Sequence, residues 1–136
     1  MKQPYNRRYR PPIPTLTVRL YSPVRDTFTS PLEAIVDTGS DASLVPLSHL
    51  LEIGAEETAP GWLVSITGER KPVSLFFIDV YLGESTLAGI RVIADPDLNE
   101  VIIGRDVLNK LSLFLDGPES TLIIPDEKVI NRLRRD

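Results

Sequence analysis

Short β-type segments, separated by turn residues, follow one another along almost the whole chain. Residues 15–20 alternate polar and apolar side chains, as a half-buried strand does. Residues 101–103 are Val-Ile-Ile, a short apolar run typical of a central buried strand. Further strands are predicted at residues 32–36, 62–66, 73–82, 86–94, 111–115 and 121–124. Many short strands with closely spaced turns are typical of a small barrel or sandwich.

Helical signals are few and short. Residues 46–51 could form one or two turns that stop at Gly54, and residues 105–110 could form another short helix. Asp126 could cap a last helix over residues 127–134. A length of 136 residues suggests one domain. We therefore predict an all-β fold, a small closed β-barrel with one or two short helices.

The composition excludes several kinds of functional site. The chain has no cysteine, so disulfides, cysteine-zinc sites and thiol catalysis are excluded. His49 is its one histidine, so a site with several histidines cannot form within one chain, and we expect no metal and no cofactor. No apolar run approaches the ~20 residues of a membrane span. The absence of cysteine and of a signal-peptide core favours a cytoplasmic protein.

The first ten residues form a basic arm that also contains prolines. Its basic residues are Lys2, Arg7, Arg8 and Arg10, and the pattern predicts an extended or disordered, solvated tail. Nucleic acid is not an expected partner, because the net charge is -4 and the pI is about 5.0.

The stretch "EAIVDTGSDASLVP", residues 33–46, raises the question of chemistry. Three apolar residues lead directly into Asp37-Thr38-Gly39-Ser40, and aspartate is rarely buried without a partner. The simplest interpretation is a plain turn, since Asp, Gly and Ser all form turns. However, "AIVDTG" and "VIIGRD" are alike, each an apolar run that ends in a glycine-containing turn with an aspartate. Two such units suggest a pseudo-symmetric domain.

Together with "VIIGRDVLNKLSLFLDG", the same stretch resembles the retropepsin-like aspartic proteases. The resemblance extends over residues 14–124 and follows the family's order of strand, Asp-Thr-Gly, flap hairpin, apolar-apolar-Gly-Arg-Asp and short helix. It implies a barrel of the retropepsin-like acid protease type. We predict an arm over residues 1–12, the protease domain over residues 13–125, and a short helix or tail over residues 126–136.

The resemblance also implies residue roles. Asp37 matches the catalytic aspartate, and Thr38 matches the threonine that reaches across the dimer axis. Asp41 and Arg105 match a charged pair that braces the active-site loop, and Asp41 is also predicted to bind substrate. The remaining implied residues support the loop or bind substrate: Gly39, whose carbonyl would receive substrate, Ser40 in the loop, Ile66, Thr67 and Gly68 at the flap tip, and Ile102 in a side-chain pocket. The flap has one glycine, whereas viral flaps are glycine-rich.

One Asp37 cannot hydrolyse a peptide alone, because the reaction needs a base for water and an acid for the leaving group. The chain contains one Asp-Thr-Gly, so the second must come from an identical subunit. Two close carboxylates share one proton. The sequence thus predicts an aspartic endopeptidase that acts as a homodimer on peptide or protein substrates. One alternative is an inactive retropepsin-like dimerisation or peptide-binding module, but the intact Asp37 argues against it. The other is an unrelated nucleic-acid-binding β-barrel, but the net negative charge and the small number of aromatic residues argue against that.

Overall fold

A computed structural model describes residues 1–135, and its main feature is a closed β-barrel. The first six strands are β1 (Lys2–Pro4), β2 (Thr15–Ser22), β3 (Thr27–Phe28), β4 (Leu32–Val36), β5 (Leu44–Pro46) and β6 (Glu56–Glu57). The later strands are β7 (Gly61–Val64), β8 (Arg70–Leu82), β9 (Ser85–Asp95), β10 (Val101–Ile103), β11 (Phe114–Asp116) and β12 (Thr121–Ile123). The helices are α1 (Leu47–Glu52), α2 (Arg105–Leu108) and α3 (Glu127–Arg134).

Six strands close the barrel in the order β2-β4-β10-β5-β9-β8, and β8 pairs back with β2. Closure protects the strand edges that an open sheet would expose. The predicted all-β barrel is confirmed, although the described residues contain three short helices rather than one or two. Asp136, the last residue of the predicted tail, lies outside the described residues.

The two similar segments of the sequence lie side by side. β4 and β10 are parallel, with Ile35 beside Ile102 and Val36 beside Ile103. Ala34, Val36, Val101 and Ile103 are buried in the core, which explains why both runs are apolar. The parallel register brings Asp37, which follows β4, next to Gly104, which follows β10.

The N-terminal arm is folded, contrary to the prediction of a solvated tail. β1 pairs antiparallel with β12, which gives a three-stranded sheet in the order β1-β12-β11. Asn6 then bonds to Ile13 through both backbone groups, and Tyr9 donates a hydrogen bond to Glu100 that raises the pKa of Tyr9. The sequence suggested a tail because the segment is charged and rich in proline; its backbone nevertheless finds a partner in the edge of β12.

Candidate active site

Asp37 lies at the point where a buried strand emerges at the surface. Val36 is buried in the core, whereas Asp37, Thr38 and Gly39 are exposed. The backbone N–H of Asp37 donates to the carbonyl of Ile103 at 2.9 Å, which continues the β4–β10 pairing as far as the carboxylate. Asp37 Oδ1 accepts the N–H of Gly39 at 2.9 Å, so the tight turn also orients the side chain.

Gly104 lets the β10 turn lie directly against the Asp-Thr-Gly loop. A Cβ atom at this position would come 2.6 Å from the Ala42 carbonyl oxygen and 2.7 Å from that of Ser40. Both neighbours are backbone atoms, so no side-chain rotation could relieve the clash. The close approach allows Arg105 N–H to donate to the Ser40 carbonyl at 2.8 Å, which ties the two loops together.

A buried hydrogen-bonded cluster lies beneath this contact. Asp106 accepts the N–H of Ser43 at 2.9 Å and its hydroxyl at 2.7 Å, and also the N–H of Val107 at 2.9 Å. The Ser43 oxygen in turn accepts the N–H of Gly104 at 3.0 Å. Ser43 is fully buried, so these bonds satisfy groups that would otherwise be costly to bury.

Arg105 braces the loop from its outer side. Its guanidinium donates to the Thr38 carbonyl at 2.7 Å and forms an ion pair with Asp41. The predicted Asp41–Arg105 pair is therefore present in the structure. The side chains are 90% and 42% exposed, respectively, so the pair is not a buried one.

β7 and β8 form a hairpin that projects from the barrel. β7 runs from Gly61 to Val64 and pairs with the start of β8, and the turn between them spans residues 65–69. Gly68 has φ +87° in this turn, a conformation that favours glycine. Ile66 is fully exposed at the tip.

A cleft of about 380 Å³ lies between this hairpin and the Asp-Thr-Gly loop. One wall is the loop and the other is the hairpin; the lining residues are Gly39, Ser40, Asp41, Ala42, Trp62, Leu63, Val64, Ser65, Ile66 and Ile93. The hairpin side of the cleft is mostly apolar, and Asp37 stands two positions before Gly39 but is not itself among the lining residues. Such a cleft can hold an extended chain segment beside the Asp-Thr-Gly loop.

The structure brings together some of the predicted site residues and not others. Gly39, Ser40, Asp41 and Ile66 line one cleft. Thr67 and Gly68 lie in the hairpin turn but do not line it, and half-buried Ile102 lies in β10 between Ile35 and Leu44. The predicted roles of all these residues in substrate binding stay predictions.

Sequence reasoning missed Ser43, Asp106 and Trp62. Asp106 stands beside Arg105 in "IIGRD", but the sequence offers no signal that it reaches Ser43, 63 positions away. The sequence predicts Trp62 within a strand of the hairpin, and the signal that could have singled it out is that it is the chain's single tryptophan.

A comparison with known protein families found a match. The family described as "Retroviral aspartyl protease" matches residues 11–116, which is most of the chain. The chain belongs to this family. The match includes the Asp-Thr-Gly loop, the hairpin, β10 and α2.

Solved structures of retroviral-type proteases share the fold. A retropepsin-like aspartic protease from Rickettsia conorii superposes with a TM-score of 0.59 at 14% identity, covering 91% of this chain and 88% of that one. EIAV protease, solved with an inhibitor, gives 0.55 at 20% identity, covering 72% and 86%. The retroviral protease-like domain of Ddi1 from Leishmania major gives 0.50 at 19% identity, covering 84% and 90%. Comparison with curated proteins found no significant match.

None of the helices within residues 1–135 has the length and apolar character needed to cross a membrane.

Proposed function

We propose that this member of the retroviral aspartyl protease family is an endopeptidase that acts as a homodimer. The observation that carries the proposal is the exposed Asp37 carboxylate, held at the end of a buried strand in a chain with one Asp-Thr-Gly. The carboxylate and the rest of its turn are open to a partner, whereas the base of the loop is fixed by Gly104 and Arg105.

The dyad would consist of Asp37 from each subunit. Two carboxylates in contact share one proton and titrate as a unit. The ionised member takes a proton from water, and the resulting hydroxide adds to the scissile carbonyl carbon. The protonated member donates a hydrogen bond to the carbonyl oxygen. The carbon–nitrogen bond then breaks, and the leaving nitrogen receives the proton.

The other predicted residues would support this chemistry. Thr38 would hold the partner's loop, while Ser40, Asp41 and Arg105 keep the turn rigid. Gly39 would accept a hydrogen bond from the substrate backbone. Ile66, Thr67 and Gly68 would close over the substrate, and Ile102 would line a side-chain pocket. Closure excludes water, which strengthens the electrostatic interactions in the site.

An exposed sheet edge supports the association of two copies. Among residues 1–135, β11 pairs with β12 alone, so its other edge is free. Phe114 and Leu115 on this edge are 54% and 45% exposed. A free apolar strand edge is a template for pairing with another chain.

We also propose a cytoplasmic location, because a chain without cysteine needs no oxidising compartment.

Digestion of a peptide library at several pH values tests the proposed activity. The native protein is expected to cleave under acid to mildly acid conditions, because the dyad must keep one proton. Asp37→Asn is expected to cleave nothing, and a chelator to change nothing. Cleavage by Asp37→Asn at the native rate, or activity that rises steadily up to pH 9, would contradict the proposal.

A further inference from the structure

We propose that Trp62 determines specificity by forming an aromatic wall against which one large apolar side chain of the substrate packs. This inference rests on the proposed peptidase function, since it assigns a substrate class to the same cleft. The site residues predicted on the flap were Ile66, Thr67 and Gly68. Trp62 lies nearer the base of the hairpin.

The exposure of Trp62 is typical of a surface that binds another molecule. Trp62 is the chain's single tryptophan and is 58% exposed. Val64, two residues along β7, is 59% exposed, and Ile66 follows at the tip. Trp62 and Val64 therefore share one face of β7, and Ile66 lies beyond the strand in the turn. An exposed row of large apolar side chains typically marks a site that binds a ligand or partner.

The cleft places this row opposite the loop that carries Asp37. Trp62 lines the same cavity as Gly39 and Asp41. Asp41 follows Asp37 by four positions, so the two Cα atoms lie at most roughly 14 Å apart. We place the side chain that meets Trp62 a few residues from the scissile bond, because Trp62 and Asp41 line one cavity and Asp41 lies within this distance of Asp37.

A cation–π contact between Trp62 and Arg70 restrains the orientation of the indole. The Arg70 guanidinium carbon lies 4.7 Å from the centre of the Trp62 ring. The two residues lie on paired strands, since Trp62 stands opposite Pro72 and Val64 opposite Arg70. An aromatic side chain held in this way offers a large contact surface at little cost in conformational entropy.

The remaining lining decides which side chain would be accepted. Leu63, Val64, Ile66 and Ile93 are apolar, and Ala42 is small. Asp41 brings the one carboxylate among the lining residues, and its charge is already paired with Arg105. A charged substrate side chain would lose hydration against the apolar lining and, if basic, would have to compete with Arg105 for Asp41, whereas Phe, Leu or Met would bury apolar surface against the indole.

Kinetic comparison of Trp62→Ala and Trp62→Phe with the native protein tests the inference. With peptides selected from the library, Trp62→Ala is expected to raise KM about tenfold with kcat changed less than about twofold. It should also lose the preference for large apolar side chains at one substrate position. Trp62→Phe keeps an aromatic surface and should restore most of the preference. Val24→Ala serves as the matched control, since Val24 is 56% exposed on the turn between β2 and β3.

The single indole also reports binding without turnover. Addition of an extended statine-type peptide with Phe and Leu side chains to the Asp37→Asn protein is expected to shift tryptophan emission to shorter wavelength. The same backbone with Ala side chains should shift it much less. An unchanged cleavage profile and KM in Trp62→Ala would overturn the inference and leave the peptidase function standing. Absence of cleavage by the native protein would instead refute the proposed function, and an unshifted emission would then refute the role of Trp62 as well.

Discussion

At the scale of single residues, the geometry around Asp37 depends on Gly104, which has no side chain. Gly104 leaves room for the carbonyls of Ala42 and Ser40, which a Cβ atom would approach to 2.6 and 2.7 Å. We expect Gly104→Ala to lower the free energy of unfolding by about 3 kcal/mol, because backbone rather than a flexible side chain must move. Denaturant unfolding measures this. Gly117→Ala is the control, since a Cβ atom there meets nothing within 4 Å, and equal losses in both variants would contradict the account.

The contacts of Asp106 and Arg105 differ in burial, and their replacement should differ accordingly. Asp106→Ala leaves the fully buried Ser43 without its main partner, so a loss of about 2–3 kcal/mol is expected. The Arg105–Asp41 pair is exposed, so Asp41→Ala should cost at most about 1 kcal/mol rather than the larger cost of breaking a buried pair. Arg105→Ala also removes the bond to the Thr38 carbonyl, so it should lower activity more than Asp41→Ala. Chemical denaturation measures the loss of stability in each variant, and turnover on the same samples measures the loss of activity. A larger stability loss in Asp41→Ala than in Asp106→Ala would contradict the assignment of Asp106 as the more important structural contact.

At the scale of secondary-structure elements, the N-terminal arm contributes a strand. Truncation of residues 1–10 removes β1 and uncovers the edge of β12, whose Leu122 is fully buried. It also removes Tyr5, which packs against the core. We therefore expect a lower melting temperature and more aggregation, because an uncovered strand edge promotes association. Thermal unfolding and size-exclusion chromatography measure both. The double variant Arg7→Ala/Arg8→Ala keeps the strand and should behave as native; a truncated protein as stable as the native one would show that the strand is dispensable.

The elements that sequence predicts well are those whose pattern is local. β4 and β10 begin and end at the predicted residues because each is an apolar run closed by a turn, and α3 does so because Asp126 accepts the N–H of Val129 as its cap. β1, β3, β5 and β6 have two or three residues each and were missed. Whether such a short strand forms depends on the strands with which it pairs, and these can be distant in the sequence. A local sequence pattern therefore does not predict it.

The residues of the candidate site also include some that local sequence predicts and others that only the folded chain brings together. Asp37, Gly39, Asp41 and Arg105 could be predicted because they stand in two recognisable segments that the parallel β4–β10 pairing brings together. The bond between Ser43 and Asp106 joins two ordinary polar residues from distant parts of the chain, and only the folded barrel places them in contact. The lining of the cleft by Trp62 likewise follows from the way the hairpin folds over the loop.

At the scale of the whole molecule, one chain provides half of the proposed chemistry. The chain has one Asp-Thr-Gly, and its carboxylate is exposed. A site shared across a symmetric interface must lose activity when the subunits separate. Specific activity of the native protein is therefore expected to fall on dilution, in step with dimer dissociation measured by analytical ultracentrifugation.

The central claim, that one active site uses Asp37 from two subunits, is tested most directly by subunit mixing. Asp37→Asn keeps nearly the same shape and should still dimerise, yet it cannot provide an ionised base. An excess of this variant, equilibrated with native protein, should capture native subunits in inactive heterodimers. Subunit exchange is verified separately with differently tagged chains. With a site shared by two subunits, activity should drop below that of native protein alone at the same native concentration. Native activity that is unchanged after verified exchange would contradict a shared site.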